Sequence, residues 1–407
     1  MAGDKALLGV DEALERILAS VGAPLESENI PLAEALGRTL AADVVARRTQ
    51  PPVDVSAMDG YAVRAAEQAP GMRVKLVGES AAGRGYDATL GAGETVRIFT
   101  GAPVPSGADA ILLQEDASVE DGWVSAKAPP GPHIRAKGLD FSQEEIVLAA
   151  GTRLGAPELA LTASTNTATV LVARRPRVAI IASGDELASP GSELGPAQIV
   201  STNNLTAAAL VLQAGGAPID LGIFRDELAD LQRALGLARQ AKADVIVTLG
   251  GASVGDRDLL RPALEKEGMT LDFWRIAMRP GKPLIFGRLG PALVLGLPGN
   301  PVAAFVCGLL FLKPLLRALQ GDPEADADRT EIVQLGSDLP ANKGRRDYLR
   351  ARLTWNSDGL IVASPLPLQD SSLLTELARS QALIVREIAE GPAKAGDFCR
   401  ILRFRES

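Results

Sequence analysis

The sequence predicts a multidomain protein in which an α/β domain, built on a parallel-rich sheet covered on both faces, is combined with β-rich and helical parts. Three observations carry this. A chain of 407 residues holds roughly two to four ordinary domains. Between 177 and 319 short apolar runs alternate with amphipathic stretches, the pattern of buried strands joined by crossover helices. On either side of that block the texture turns to short β-prone runs separated by Gly and Pro.

Each element follows from its own pattern. Over 10–41, Ala and Leu recur at three- and four-residue intervals with charges between them, which predicts helices. Over 49–137, β-prone runs at 74–77, 95–99 and 110–113 stand between Gly and Pro clusters and predict a compact β-rich domain. Residues 146–172 read as a further short strand and helix; pairing with the opening segment would make the β-rich part an insertion. From 177, strands are expected at 178–182, 219–224, 245–249 and 292–297, with helices at 205–213, 228–239, 258–267 and 302–319. A polar stretch at 321–328 precedes a small β domain, with runs at 331–335, 348–353, 360–362, 382–385 and 398–402. The expected domains are therefore 1–45 with 141–175, the insertion 46–140, the α/β domain 176–325 and the C-terminal β domain 326–407.

Composition narrows the function. Apolar residues make up 46%, charged residues 23% and aromatics 4%, which excludes a disordered chain and an aromatic platform for single-stranded nucleic acid. One histidine, His133, and two cysteines, Cys307 and Cys399, are too few for a zinc, haem or iron–sulfur site built from this chain alone. His133 follows a Pro-Gly-Pro turn and is expected in an exposed loop; the thiol usage fits a reducing compartment. A net charge of -8 opposes a phosphate backbone, so nucleic acid is not an expected partner. The apolar run 303–312 falls short of the roughly 20 residues of a membrane helix, and the charged N-terminal helix is unlike a signal peptide. The expectation is a cytoplasmic protein with no membrane partner.

In an open parallel sheet the ligand sits beyond the carboxyl ends of the strands, so the loops there are the candidates. They are Ser183-Gly184-Asp185-Glu186, Arg225-Asp226, the glycine loop from Gly250 and Gly251 through Ser253 to Asp258, and Pro298-Gly299-Asn300-Pro301. Glycine backbone and helix N-termini suit the glycine loop and the Pro298–Pro301 loop to a phosphate or oxyanion, although each also reads as an ordinary cap or turn. Glu186, Asp226 and Asp258 fall at or just past strand ends, where they could share Mg²⁺ beside phosphates; Asp226 and Asp258 read equally as helix starts. Arg275, Arg279 and Lys282 form a cationic stretch that is either an anion clamp or a solvated hairpin. In the β-rich domain, Asp59 and Thr100 lie in turns with no apolar period to explain them.

Taken together and in order, segments 54–62, 100–109, 134–140, 183–187, 250–258, 280–283 and 297–301 resemble the molybdopterin molybdenumtransferase (MoeA) family and the equivalent domain of gephyrin. The resemblance spans nearly the whole chain. It implies an elongated helical and β domain, an inserted β domain, a three-layer molybdopterin-binding α/β domain and a C-terminal β-barrel-like domain. It implies a homodimer whose cleft lies between the α/β domain of one subunit and the inserted domain of the other. The implied activity is insertion of molybdenum from molybdate into adenylylated molybdopterin with release of AMP, using Mg²⁺; a molybdopterin adenylyltransferase and apo-molybdoenzymes are the implied further partners.

Residue by residue, Asp59 and Thr100 match the inserted domain's functional pair, Glu186, Asp226 and Asp258 the catalytic acidic set that would hold the metal, and Arg135 with Asp140 a further charged pair. Gly250, Gly251 and Ser253 match the glycine loop, Pro298 and Pro301 the shaped loop, and Arg275, Arg279 and Lys282 the cationic edge. There are departures: Arg stands at 275 and 279 where relatives often carry Lys, Leu249 replaces a small hydroxyl residue, and Ala136 interrupts a basic run. Two other readings are an adenylyltransferase, opposed by Gly-Gly-Ala-Ser in the glycine loop and by the extra domains, and a gephyrin-type peptide-binding scaffold, opposed by the full set of acidic residues.

Overall fold

The computed structural model describes residues 7–67, 69, 72–250 and 259–405. Its centre is a six-stranded sheet in the order Ala217–Phe224, Arg177–Ser183, Val245–Leu249, Ala292–Leu297, Ile285–Leu289, Thr270–Phe273. The first four strands are parallel, and Ile285–Leu289 runs antiparallel to both its neighbours. Strand residues divide between the two faces with period two: Val178, Ile180 and Ala182 join one core, Ala179 and Ile181 the other. Helices Leu228–Gln240 and Leu260–Lys266 cover one face; Asn203–Gln213 and the long helix Pro301–Leu319 cover the other. This explains why 178–182 and 245–249 read as unbroken apolar runs: both faces are buried.

The helix Pro301–Leu319 has the length and apolar composition of a membrane span, longer than the apolar run in the sequence, but 61% of its apolar window is buried inside the molecule. Val302, Val306, Phe311, Leu312, Leu315 and Leu316 are each 1% exposed or less, at roughly 1.5–3 kcal/mol of burial per large side chain. It is a core helix.

The expectation of helices throughout 10–41 is corrected. Only Val10–Ala19 is α-helical; Ser27–Pro31 is a strand and Leu32–Glu34 a single 3₁₀ turn. Pro24 and Pro31 cannot continue a helix, and the strand is claimed by an antiparallel partner, Thr169–Ala173. The helix Val10–Ala19 buries Val10, Ala13 and Ile17 in the core of the α/β domain. Val44–Val45 pairs with Ile146–Leu148, and Ala156–Ser164 forms the second helix of this region.

Between these pairings the chain makes a six-stranded sheet, in the order Ala110–Leu113, Gly60–Val63, Glu94–Ile98, Arg73–Ser80, Trp123–Ala126, Ala117–Glu120, around its own core of Val63, Val74, Leu112 and Val124. At the C-terminus Arg346–Trp355, Ile361–Pro365, Thr330–Leu335, Phe398–Arg403 and Ala382–Arg386 pair in a ring, and the pairing of the first with the last closes a five-stranded barrel. Its interior holds Leu335, Ala351, Ala363, Ala382, Ile384 and Ile401.

Candidate active site

The carboxyl ends of three parallel strands meet in register: Ala182 lies opposite Leu249, and Leu249 opposite Leu297. Ser183, Gly250 and Pro298 therefore emerge side by side. Gly250 makes this possible, because it adopts φ +93° and a Cβ there would lie 2.7 Å from the Ser183 carbonyl oxygen. Above them opens a cavity of about 950 Å³, lined also by Arg345 and residues 369–372 of the C-terminal domain.

Two carboxylates from adjoining strand ends, Glu186 and Asp226, line this cavity. Asp226 is not the cap of the following helix, whose N-cap position is Glu227; its Oδ1 instead accepts the hydroxyl hydrogen of Ser183, a residue 6% exposed. That bond fixes the carboxylate's direction, since a serine locked by burial leaves few rotamers to share. Three cations, Arg279, Lys282 and Arg345, line the same cavity, together with a third carboxylate, Asp370. Arg279 donates from Nε to Asp347 Oδ1 at 2.8 Å and from Nη2 to Asp347 Oδ2.

The Pro298–Pro301 loop forms the floor. Asn300 occupies the N-cap position of the long helix and Pro301 is its first residue, but the Asn300 side chain does not cap: its Nδ2 donates to Ser371 Oγ at 2.9 Å. The Val302 amide donates to the Ser371 carbonyl at 3.0 Å, and Asn203 Nδ2 to the Gly299 carbonyl at 2.7 Å. The segment carrying Ser371 is held in turn by Arg350, 1% exposed, which donates to the carbonyls of Leu368, Asp370 and Leu373.

Other candidates stand elsewhere. Asp59 Oδ1 accepts the amide of Thr100 at 2.7 Å and its hydroxyl at 2.8 Å. The amide first, then the hydroxyl, hold the Asp59 carboxyl below its ordinary range, so it stays ionised at neutral pH. Arg135, in the short strand Ile134–Arg135 paired with Val55–Ser56, and Asp140, whose amide donates to the Gln50 carbonyl, also belong to this side of the molecule. None of these four lines the cavity of its own chain. Arg275 does not line it either: its guanidinium stacks on Trp274 at 4.3 Å, and its buried Nε has no hydrogen-bond partner among the described residues. Gly251, Ser253 and Asp258 lie outside the described residues. The sequence offered no signal for Arg345 or 369–372, which reach the cavity from a separate domain, nor for Asp347, which meets the cavity only through Arg279. His133 is half-buried rather than exposed; its carbonyl accepts the Ala57 amide.

Comparison with known proteins agrees along the whole chain. Residues 8–166 match the MoeA N-terminal region (domain I and II), 179–318 a probable molybdopterin binding domain and 333–404 the MoeA C-terminal region (domain IV). A molybdopterin molybdenumtransferase of Haemophilus influenzae is 35% identical, with 98% of this chain and 99% of the relative aligned. The chain belongs to the MoeA family. A second molybdopterin molybdenumtransferase, from Bacillus subtilis, is 34% identical over 98% of this chain and 94% of its own. Among solved structures, a molybdopterin biosynthesis MoeA protein of Pyrococcus horikoshii superposes with a TM-score of 0.83 at 27% identity, covering 98% of this chain and 100% of the other. The three-layer sheet domain, the inserted sheet and the closed barrel are thus the MoeA architecture.

Proposed function

We propose that this chain is a molybdopterin molybdenumtransferase: it takes adenylylated molybdopterin and molybdate, passes molybdenum to the dithiolene of the pterin and releases AMP, in the cytoplasm. The observation that carries the reading is the convergence of carboxylates and cationic side chains on one cavity at the sheet's carboxyl edge, in a chain of the MoeA family. A phosphoanhydride and an oxometalate are both anions. Arg279, Lys282 and Arg345 supply the fixed positive charge that draws them in and offsets charge developing on phosphate. The dithiolene sulfurs hold the metal, so the scarcity of His and Cys is no obstacle.

Among the described residues no group of three or more His, Cys, Asp or Glu is arranged to hold a metal ion. Two hard oxygen donors, Glu186 and Asp226, nonetheless border the space for the phosphates, and Mg²⁺ is commonly bound by one or two carboxylates completed by substrate phosphate and water. In this reading those two residues hold Mg²⁺, which when bound neutralises phosphate charge. Ser183 keeps Asp226 aimed at the site, and the helix start at Asn300–Pro301 faces the anion. Asp59 and Thr100 orient the attacking group in the cleft of a partner subunit within a homodimer. The test is AMP release by purified protein from adenylylated molybdopterin: release that depends on both molybdate and Mg²⁺ is expected, and release independent of molybdate would overturn the assignment.

A further inference from the structure

We propose that Asp347 is a positioning residue for the oxyanion site, holding the Arg279 guanidinium in a fixed orientation at the boundary between the main cavity and a second cavity of about 450 Å³ behind it. The inference rests on reading the main cavity as the molybdate site. Arg279 borders both cavities, and Asp347 borders only the second. The arginine is clamped at both ends. At its backbone, Met278–Arg279 pairs in parallel with the first residues of Arg346–Trp355, with Arg279 opposite Asp347 and the Arg346 amide donating to the Ala277 carbonyl at 2.9 Å. At its tip, Nε and Nη2 form a two-pronged pair with the carboxylate.

The asymmetry of burial gives the pair its direction. The Asp347 side chain is 6% exposed and that of Arg279 57%. A buried carboxylate held by one cation is a fixed anchor, while the guanidinium it carries reaches solvent. Among the described residues Nη1 makes no hydrogen bond, so its two donors remain for a ligand, aligned before any ligand arrives. Pre-aligned donors are what distinguish an arginine site from a lysine site, because an ammonium is a rotating point charge with no fork to orient. The carboxylate therefore matters because residue 279 is arginine.

The experiment uses the full chain and three variants: Asp347→Asn, Arg279→Lys and the double change. Molybdate binding by equilibrium dialysis, molybdate KM and kcat for AMP release, and thermal melting are measured on each. Asp347→Asn is expected to raise the molybdate Kd and KM about tenfold, the scale of one well-aligned charge-assisted hydrogen bond, with kcat at saturating molybdate within about twofold. In the Arg279→Lys background the same change is expected to add nothing. An unchanged Kd for Asp347→Asn, or an equal loss in both backgrounds, overturns the inference, since a purely structural defect ignores the identity of residue 279. Should Asp347→Asn not fold, Arg279→Lys alone decides: it is expected to show the same tenfold loss, and unchanged binding overturns the proposal. A wild-type protein that releases no AMP yet shows this binding pattern defeats only the proposed reaction; wild-type protein that binds no molybdate defeats both.

Discussion

Replacing Gly281 by alanine perturbs the turn between Arg279 and Lys282 through two separable effects. Gly281 has φ +111°, where an L-residue pays roughly 1–3 kcal/mol. Its new Cβ would stand 2.5 Å from Cys307 Sγ, with Met278 Cε and Sδ next at 3.2 and 3.3 Å. Cys307 is fully buried in the long helix and the methionine is the more yielding neighbour, so the collision with sulfur costs about 1–3 kcal/mol, as overpacking does. The stiffer unfolded chain returns about 0.4–1 kcal/mol. The net expectation is a loss of about 3 kcal/mol, read as a lower midpoint in urea unfolding followed by tryptophan fluorescence. Cys307→Ala removes the sulfur, so the double variant should recover at least about 1 kcal/mol relative to additivity while keeping the backbone cost. A Gly281→Ala protein within about 0.5 kcal/mol of wild type, or a thermodynamic cycle with no coupling, would refute the reasoning.

Further expectations follow from other contacts. Asp244 accepts Arg174 Nη1 and Nη2 at 2.7 and 2.8 Å and the Arg177 amide at 2.7 Å in a largely buried position, so Asp244→Ala should cost about 2–4 kcal/mol in denaturant unfolding. Because the Asp59 carboxyl is held low, the contribution of its ionised form persists above the ordinary carboxylate range and is lost as pH falls through the depressed value. Thr100→Val removes the hydroxyl donor and should raise that value, moving the acid limb of activity to higher pH, which carboxyl NMR titration of Asp59 can follow. Ser183→Ala should lower kcat/KM by about tenfold with little change in melting temperature, since it frees Asp226 without opening a large void. If the cleft is shared between subunits, mixing inactive Asp59→Asn and Glu186→Gln proteins one to one should restore about a quarter of wild-type activity, one intact site in each hybrid dimer.

Legibility followed the range of the interactions. Runs buried on both faces announced the α/β strands, and the carboxyl-edge rule led from them to Glu186, Asp226 and Pro298–Pro301. Where one residue had two local explanations, only the fold decided: Asp226 could cap a helix, yet a serine from a strand neighbouring in space claims it. The Ala and Leu spacing of the opening segment points to helix because it is indifferent to a strand partner far along the chain, although Pro24 and Pro31 are breaks in the sequence itself. Arg275 and Arg279 looked equivalent as cations in one stretch. Trp274 takes the first and Asp347 the second, and neither preference is written in the local pattern.

The pairing of Ser27–Pro31 with Thr169–Ala173 has a consequence for synthesis. At roughly 5–20 residues per second the ribosome delivers the second strand some 7–30 s after the first. Throughout that interval the early strand presents an unsatisfied edge, while the intervening sheet can already collapse around its own apolar centre. Nascent chains should therefore acquire protease resistance in the middle before their beginning, and the waiting edge is where a holdase chaperone has most to shield.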